Sequence, residues 1–382
     1  MSSALGPNAT NAFRKTTELY TSGARTLPQR FLVSPEVYAE EEARIFSRQW
    51  VCVGHESEVA ASGDFFVAEV ARESLLIVRD QERQLRGFFN VCRHRGTRLC
   101  EESYGHSAVV QCPYHAWTYG LDGRLLGAPS MDAVPGFLKS DYSLYPVALE
   151  TWEGLIFVTL EKQPTPLRDI FAPLAGKFSH WNLPRLQSAR RVDYEVRANW
   201  KLIFENYSEC YHCSLVHPAL SKLSPSDSAE NDLSEGPFLG GFMAIAKGES
   251  LTLSGKACAL PVGDIAAEDH AKVFYYSLFP NVLLSLHPDY VMVHLIRPLA
   301  PDRTLVRCDW YFHRDAAAAA QPTFHPEDAI DFWDMTNRQD WHVCELSQQG
   351  ISSRAYQRGP YSPRESIPAA WDREYLRQLG ET

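Results

Sequence analysis

Two short stretches of the 382-residue chain combine sulfur and nitrogen donors at close spacing. Cys92-Arg93-His94 and Cys112-Pro113-Tyr114-His115 each offer one thiolate and one imidazole, and seventeen residues lie between His94 and Cys112. Each follows a strand-like run, so two such loops facing one another bring two Cys and two His to one point. That donor set suits either zinc or a two-iron cluster. A third stretch runs from Glu209 through His212 to His217-Pro218. An ideal helix would set the two imidazoles about 140° apart, which is poor for one metal. The conflict resolves if the helix bulges or ends between them, and Pro218 disfavours the α region at His217. Two imidazoles placed in this way need a carboxylate to complete a facial triad for mononuclear iron(II). The helix-like segment DAIDFWDMTNRQDWHVCELSQQG offers Asp331, Asp334 and Asp340. Asp340 shares the apolar side with Trp333 and Cys344, where a carboxylate needs a reason. Asp334, beside Trp341, is not excluded by this periodicity.

The order of the donors discriminates between the metals. Common zinc modules pair Cys with Cys in one loop and His with His in the other, whereas here each loop carries one of each. In a Rieske centre two thiolates hold one iron and two imidazoles the other. The pattern therefore favours a Rieske cluster over zinc. The remaining cysteines, including Cys210 and Cys213, show no second paired pattern and read as core or incidental thiols.

The elements around these motifs differ in texture. Ser34 and Pro35 open a predicted helix over 34–50. From about 51 to 160 the chain offers short strands, DFFVAEV, SLLIV, LRGFFNV and EGLIFVTL, and a hairpin turning at Asp122-Gly123. Pro164 and Pro166 mark a boundary. Beyond it, 191–198 alternates like a strand and 200–212 reads as a helix. Three more strands (KVFYYSLF, YVMVHLIRP, TLVRCDWYFHR) and a long helix near 326–350 follow. This arrangement is α+β, a sheet covered by helices. The run Ala316–Ala320 reads as a helical turn or surface loop.

Composition narrows the function classes. Lys+Arg number 37 and Asp+Glu 47, a net charge of −10, which argues against nucleic acid or an anionic membrane as partner. Nine cysteines cannot all pair within one chain. No signal-like or membrane-spanning run appears, so a cytoplasmic location is expected. The Asn8-Ala9-Thr10 and Asn206-Tyr207-Ser208 triplets then carry no meaning as glycosylation sites. No Gly-rich dinucleotide fingerprint follows a strand, so a reductase would be a separate protein.

CRH…CPYH, NWKLIFENYSECYHCSLVHP and DWHVCELSQQGISSRAY together resemble the oxygenase component (α subunit) of the Rieske non-haem iron oxygenases, over nearly the whole chain. The resemblance implies a helical segment at 1–47 packing on the catalytic domain and an all-β Rieske [2Fe–2S] domain at 48–160. It implies a helix-grip catalytic domain, an antiparallel sheet with helices, at 161–382. Cys92, His94, Cys112 and His115 match the cluster ligands. His212, His217 and Asp340 match the iron ligands. Glu209 matches the acidic residue that bridges the first iron histidine to a cluster histidine of the neighbouring subunit. The implied assembly is a head-to-tail homotrimer fed by NAD(P)H through a flavin/iron–sulfur reductase.

Glu at position 209 is similar to the subgroup acting on quaternary amines, such as glycine betaine, stachydrine and carnitine oxygenases. The expected activity is therefore oxidative N-demethylation with release of formaldehyde. The alternative is ring hydroxylation or O-demethylation of an aromatic acid on the same metals. A quaternary ammonium substrate calls for an aromatic wall. Phe274, Tyr275, Tyr276, Phe279 and Tyr290 lie in the right strands, but alternate strand residues point inward in any case, so none is assigned.

Overall fold

The computed structural model describes residues 12–315 and 324–381. The Ala316–Ala320 run and the Asn8 triplet lie outside the described residues. The chain divides into two compact units, 41–179 and 1–40 with 180–382.

The 41–179 unit is built of short antiparallel strands. One sheet runs in the order Ala148–Trp152, Leu155–Thr159, Val51–His55, and a second in the order Leu85–Phe89, Glu73–Arg79, Asp64–Val70, Tyr104–His106. The third joins Val110–Gln111, Thr118–Tyr119 and Leu125–Gly127, turning where Gly123 takes a φ of +85°. Leu155–Thr159 is buried along its whole length, as a strand without polar alternation must be. One hydrophobic cluster, with Leu76, Val78, Phe88, Trp117 and Tyr119, also contains Cys92 and Cys112. The unit extends past the predicted boundary to residue 179. Trp50 donates its indole N–H to the Thr165 carbonyl at 2.9 Å, and Trp152 meets Phe171 and Phe178 edge-on at 5.0 and 5.6 Å. These contacts hold 161–179 in this unit.

The other unit has one eight-stranded antiparallel sheet. Its order is Arg14–Lys15, Glu230–Leu233, Phe238–Ala244, Lys272–Leu278, Val282–Leu286, Val291–Ala300, Arg303–His313, Leu186–Val196. At Gly240 the φ is +144°, and a β-carbon there would collide with the Tyr275 carbonyl of the next strand, so only glycine fits. The long helix Pro326–Ile351 opens on Pro with Glu327 and Asp328 in its first turn, both suited to a helix start. It buries Phe332, Trp333, Thr336, Asn337, Trp341, Cys344 and Gln348, a helical spacing that presents one face. Asn337 reaches the Cys308 sulfur of the sheet at 3.8 Å, which identifies the sheet face that this helix covers.

The predicted 200–212 helix is shorter, Trp200–Tyr207, followed by Cys213–Val216 and Pro218–Leu223. Asn199 caps the first of these by accepting the Lys201 N–H at 3.1 Å, and donates to the Pro301 carbonyl at 2.6 Å. The Asn199 N–H bonds Gln348 of the long helix at 2.9 Å. Trp371, on the C-terminal helix Ser366–Leu379, stacks on Phe204 at 4.9 Å. The segment bearing the histidines is thus anchored to sheet, long helix and C-terminal helix. The 34–50 prediction resolves into an α-helix at Pro35–Glu41 that widens into a π-helical turn at Glu42–Phe46. Ser34 Oγ accepts the Glu36 and Val37 N–H groups there.

Candidate metal centres

The Cys92-x-His94 and Cys112-x-x-His115 loops of the 41–179 unit share a backbone pattern. In the first, Cys92 N bonds the Thr97 carbonyl and Gly96 N the Cys92 carbonyl. In the second, Cys112 N bonds the Trp117 carbonyl and Ala116 N the Cys112 carbonyl. Gly96 and Ala116 occupy the same place and both have positive φ, +75° and +54°. The loops therefore place their cysteines alike, while the histidine comes two residues after Cys92 and three after Cys112. Both thiols are buried, while His94 and His115 are exposed with ring centroids 4.8 Å apart. His94 stacks on Trp117 at 4.8 Å. Tyr119 places its hydroxyl 3.3 Å from the Cys92 sulfur and accepts the Arg93 N–H at 3.0 Å. Burial pushes the Cys92 thiol up, and the neighbouring Cys112 adds to it, against the Tyr119 and backbone hydrogen bonds. Stable thiolates at this depth need a compensating positive group. Two buried thiols and two exposed imidazoles, segregated in this way, fit a [2Fe–2S] group whose irons take unlike ligands.

In the other unit His212, His217 and Asp340 converge, with one ligand atom from each lying within 4.8 Å of the others. Asp340 Oδ1 is 3.2 Å from His212 Nε2 and 2.8 Å from His217 Nε2. The helix breaks between the histidines as the spacing demanded. His212 precedes the Cys213–Val216 turn, and His217 leaves helical geometry at φ −122°, ψ 68° before Pro218 restarts it. Glu209 Oε1 meets His212 Nδ1 at 2.5 Å, and its other oxygen accepts the Tyr211 and His212 backbone N–H groups. His217 Nδ1 is 2.8 Å from Gln339 Oε1. Both rings thus hold their Nδ1–H on an acceptor and turn Nε2 toward Asp340, the usual way a metal-binding histidine is oriented.

The electrostatics favour positive charge at this point. Burial raises the Asp340 carboxyl, but the hydrogen bonds from His212 and His217 outweigh it and hold it below the usual carboxylate range. Burial disfavours a charged His212, yet Asp340 and Glu209 on either side push it up to about 10. Surroundings that favour a proton on this imidazole favour a divalent cation at the same point.

The other carboxylates of the long helix stay away. Asp334 accepts Tyr194 Oη at 2.7 Å and Arg338 Nε at 2.8 Å, and Asp331 is exposed. Reading Cys210 and Cys213 as unpaired thiols needs correction, because they form a disulfide with Cα atoms 4.9 Å apart. Their Cys-x-x-Cys spacing in a turn was the available signal. Gln339 also escaped sequence reasoning, since an amide beside Asp340 looks like any surface residue.

Beside Glu209, the helix Trp200–Tyr207 and the strand Lys272–Leu278 contribute aromatic rings. Tyr207 Oη bonds Ser285 Oγ at 2.9 Å, and Tyr207 meets Tyr275 edge-on at 5.9 Å. A cavity of about 240 Å³ opens beside these tyrosines and Glu209. Tyr276 points to the opposite face, where its hydroxyl donates to Asp232 at 3.0 Å.

Residues 49–138 match the Rieske [2Fe-2S] domain family, and residues 183–381 match the ring hydroxylating alpha subunit (catalytic domain) family. The glycine betaine monooxygenase oxygenase subunit of Chromohalobacter salexigens is 33% identical, covering 89% of this chain and 82% of its own. The carnitine monooxygenase oxygenase subunit of Escherichia coli K12 is 30% identical, covering 87% and 86%. The crystal structure of the quaternary ammonium Rieske monooxygenase CntA with L-carnitine superposes with a TM-score of 0.78 at 27% identity, over 93% of this chain and 95% of that one. Naphthalene 1,2-dioxygenase from Rhodococcus, 21% identical at a TM-score of 0.76, shares the fold. No helix among the described residues is long and apolar enough to cross a membrane. The chain belongs to the Rieske non-haem iron oxygenases as an oxygenase (α) subunit, an oxidoreductase with a Rieske [2Fe–2S] domain and a mononuclear-iron catalytic domain.

Proposed function

We propose that this subunit is the terminal oxygenase of a system that N-demethylates a betaine-like quaternary ammonium compound. The observation that carries the substrate class is that relatives matched over most of both chains act on glycine betaine and carnitine. Tyr207 and Tyr275 line the cavity that also meets Glu209, the partner of His212, and offer aromatic surface to a cation. Cys92 and Cys112 would hold one iron of the cluster and His94 and His115 the other, while His212, His217 and Asp340 would hold the mononuclear iron. When bound, these groups supply electron storage and oxygen activation.

The chain's own residues do the positioning. Glu209 and Gln339 fix the imidazole tautomers, and Asp340 balances the charge. Glu209 also serves as the bridge to a cluster histidine of a neighbouring subunit in a homotrimer. Tyr211 and Leu215, exposed beside it, offer apolar surface for that contact. Two electrons reach the trimer from NAD(P)H through a separate reductase. The net reaction takes O2, two electrons and two protons, converts an N–CH3 to N–CH2OH and releases water. The carbinol then collapses to the tertiary amine, formaldehyde and a proton.

The test is oxygen uptake and formaldehyde release with a surrogate reductase across betaines and aromatic acids. Stoichiometric formaldehyde with a betaine is expected. Stimulation by an aromatic acid and none by any betaine would replace this reading with aromatic hydroxylation or O-demethylation.

A further inference from the structure

His287 is fully buried, and neither ring nitrogen has a hydrogen-bond partner among the described residues. It follows the strand Val282–Leu286, so by alternation it shares the face of Ser285, which meets Tyr207 just before the metal-site turn. One face of the imidazole stacks on Tyr290 at 4.0 Å, and Trp333 and Tyr275 stand edge-on to it at 5.5 and 6.4 Å. The polar atoms of two of these neighbours are matched: Trp333 Nε1 donates to Tyr290 Oη at 2.7 Å, and Tyr290 Oη to the Leu251 carbonyl at 2.6 Å. The other buried imidazole on this face, His294, engages Asn337 through Nε2 at 3.3 Å. Leaving a buried polar group unmatched is unfavourable, and native interiors rarely do it without a reason.

The position supplies a reason. Trp333 and Asp340 are seven residues apart on one helix, so they share a face with a rise of roughly 10 Å between them. Tyr275 bridges the two ends, touching the His287 cluster on one side and Tyr207 on the other. A small zwitterion with its N-methyl groups at the metal triad would extend its other end toward His287.

We propose that His287 is a specificity-determining residue whose ring N–H donates to the carboxylate of a betaine held with its onium group near His212 and Asp340. This rests on the N-demethylation reading above. A carboxylate oxygen is the strongest acceptor such a substrate carries, and neither ring nitrogen of His287 is met by a described residue. Burial keeps the free imidazole neutral, so it enters as a donor and not as a fixed cation.

The test compares the iron-loaded wild type with His287→Phe, which keeps a flat ring, and His287→Gln, which keeps an N–H donor. KM and directly measured Kd are determined for the best betaine and for its carboxylate-free trimethylalkylammonium counterpart. His287→Phe should weaken the betaine roughly ten- to hundredfold and leave the counterpart within about twofold, with visible spectrum and iron content unchanged. His287→Gln should recover part of the loss. Equal changes for both ligands, or none, would overturn the assignment while the demethylation reading stands. A wild type that oxidises no betaine overturns that reading, and this assignment with it.

Discussion

At the residue scale, Glu209 has two jobs that one carboxylate can do together. It seals the turn by accepting the Tyr211 and His212 N–H groups, and it holds the His212 ring through Nδ1. Glu209→Gln retains size and can still accept through its carbonyl oxygen, so both metals should stay bound. Turnover should nevertheless fall by at least tenfold, because an amide removes the charge that stabilises a protonated or metal-polarised imidazole. Stopped-flow reoxidation of the reduced cluster should slow in parallel while its absorption spectrum stays the same. Unchanged reoxidation would sink the bridging role. Asp340→Ala removes the one carboxylate of the triad. Iron per chain should drop by one, from three to two, with the cluster spectrum intact, as metal analysis would read.

At the element scale, the cap at Asn199 decides where the histidine-bearing segment begins. Its side chain accepts the Lys201 N–H, and its backbone N–H reaches Gln348 on the helix that carries Asp340. Asn199→Ala should destabilise the catalytic unit by about 1–2 kcal/mol in denaturant unfolding and weaken iron retention more than cluster retention. In the 41–179 unit, buried Asp80 plays the comparable part for a hairpin. It accepts the Glu82 and Gln84 N–H groups at 2.9 and 2.8 Å and Arg86 Nε at 2.9 Å. Burial raises its carboxyl, but these donors outweigh burial and leave it below the usual range. A carboxyl lowered on folding contributes stability above its unfolded value of about 4, and that contribution is lost as pH falls through the lower folded value. Thermal unfolding of wild type and Asp80→Asn should therefore differ most near neutrality and converge in acid.

At the scale of the whole molecule, the two metal centres belong to two separate compact units. If electrons cross between subunits of a trimer, chains lacking one centre should complement chains lacking the other. Co-assembled Cys92→Ser and Asp340→Ala chains should recover a measurable fraction of wild-type formaldehyde release, though each alone is inactive. No recovery in verified mixed oligomers would rule out transfer between subunits. Analytical ultracentrifugation should give three times the 43.2 kDa chain mass.

The sequence by itself determined the donors and most of the strands. Cys-x-His, Cys-x-x-His and His-x4-His-Pro are local patterns, and strands such as Asp64–Val70 and Lys272–Leu278 follow from local runs of β-forming residues. Periodicity also put Asp340 on the buried face of its helix, but it could not choose between Asp340 and Asp334, because both lie near tryptophans on the wheel. That choice was tertiary: Tyr194 and Arg338 occupy Asp334, whereas the broken helix around His217 brings two imidazoles to Asp340. The extent of the first unit to residue 179, the pairing of Cys210 with Cys213, the Gln339 contact and the unmatched His287 were equally out of reach. Each depends on which distant side chains fill the space around a residue, and a one-dimensional pattern holds no record of that.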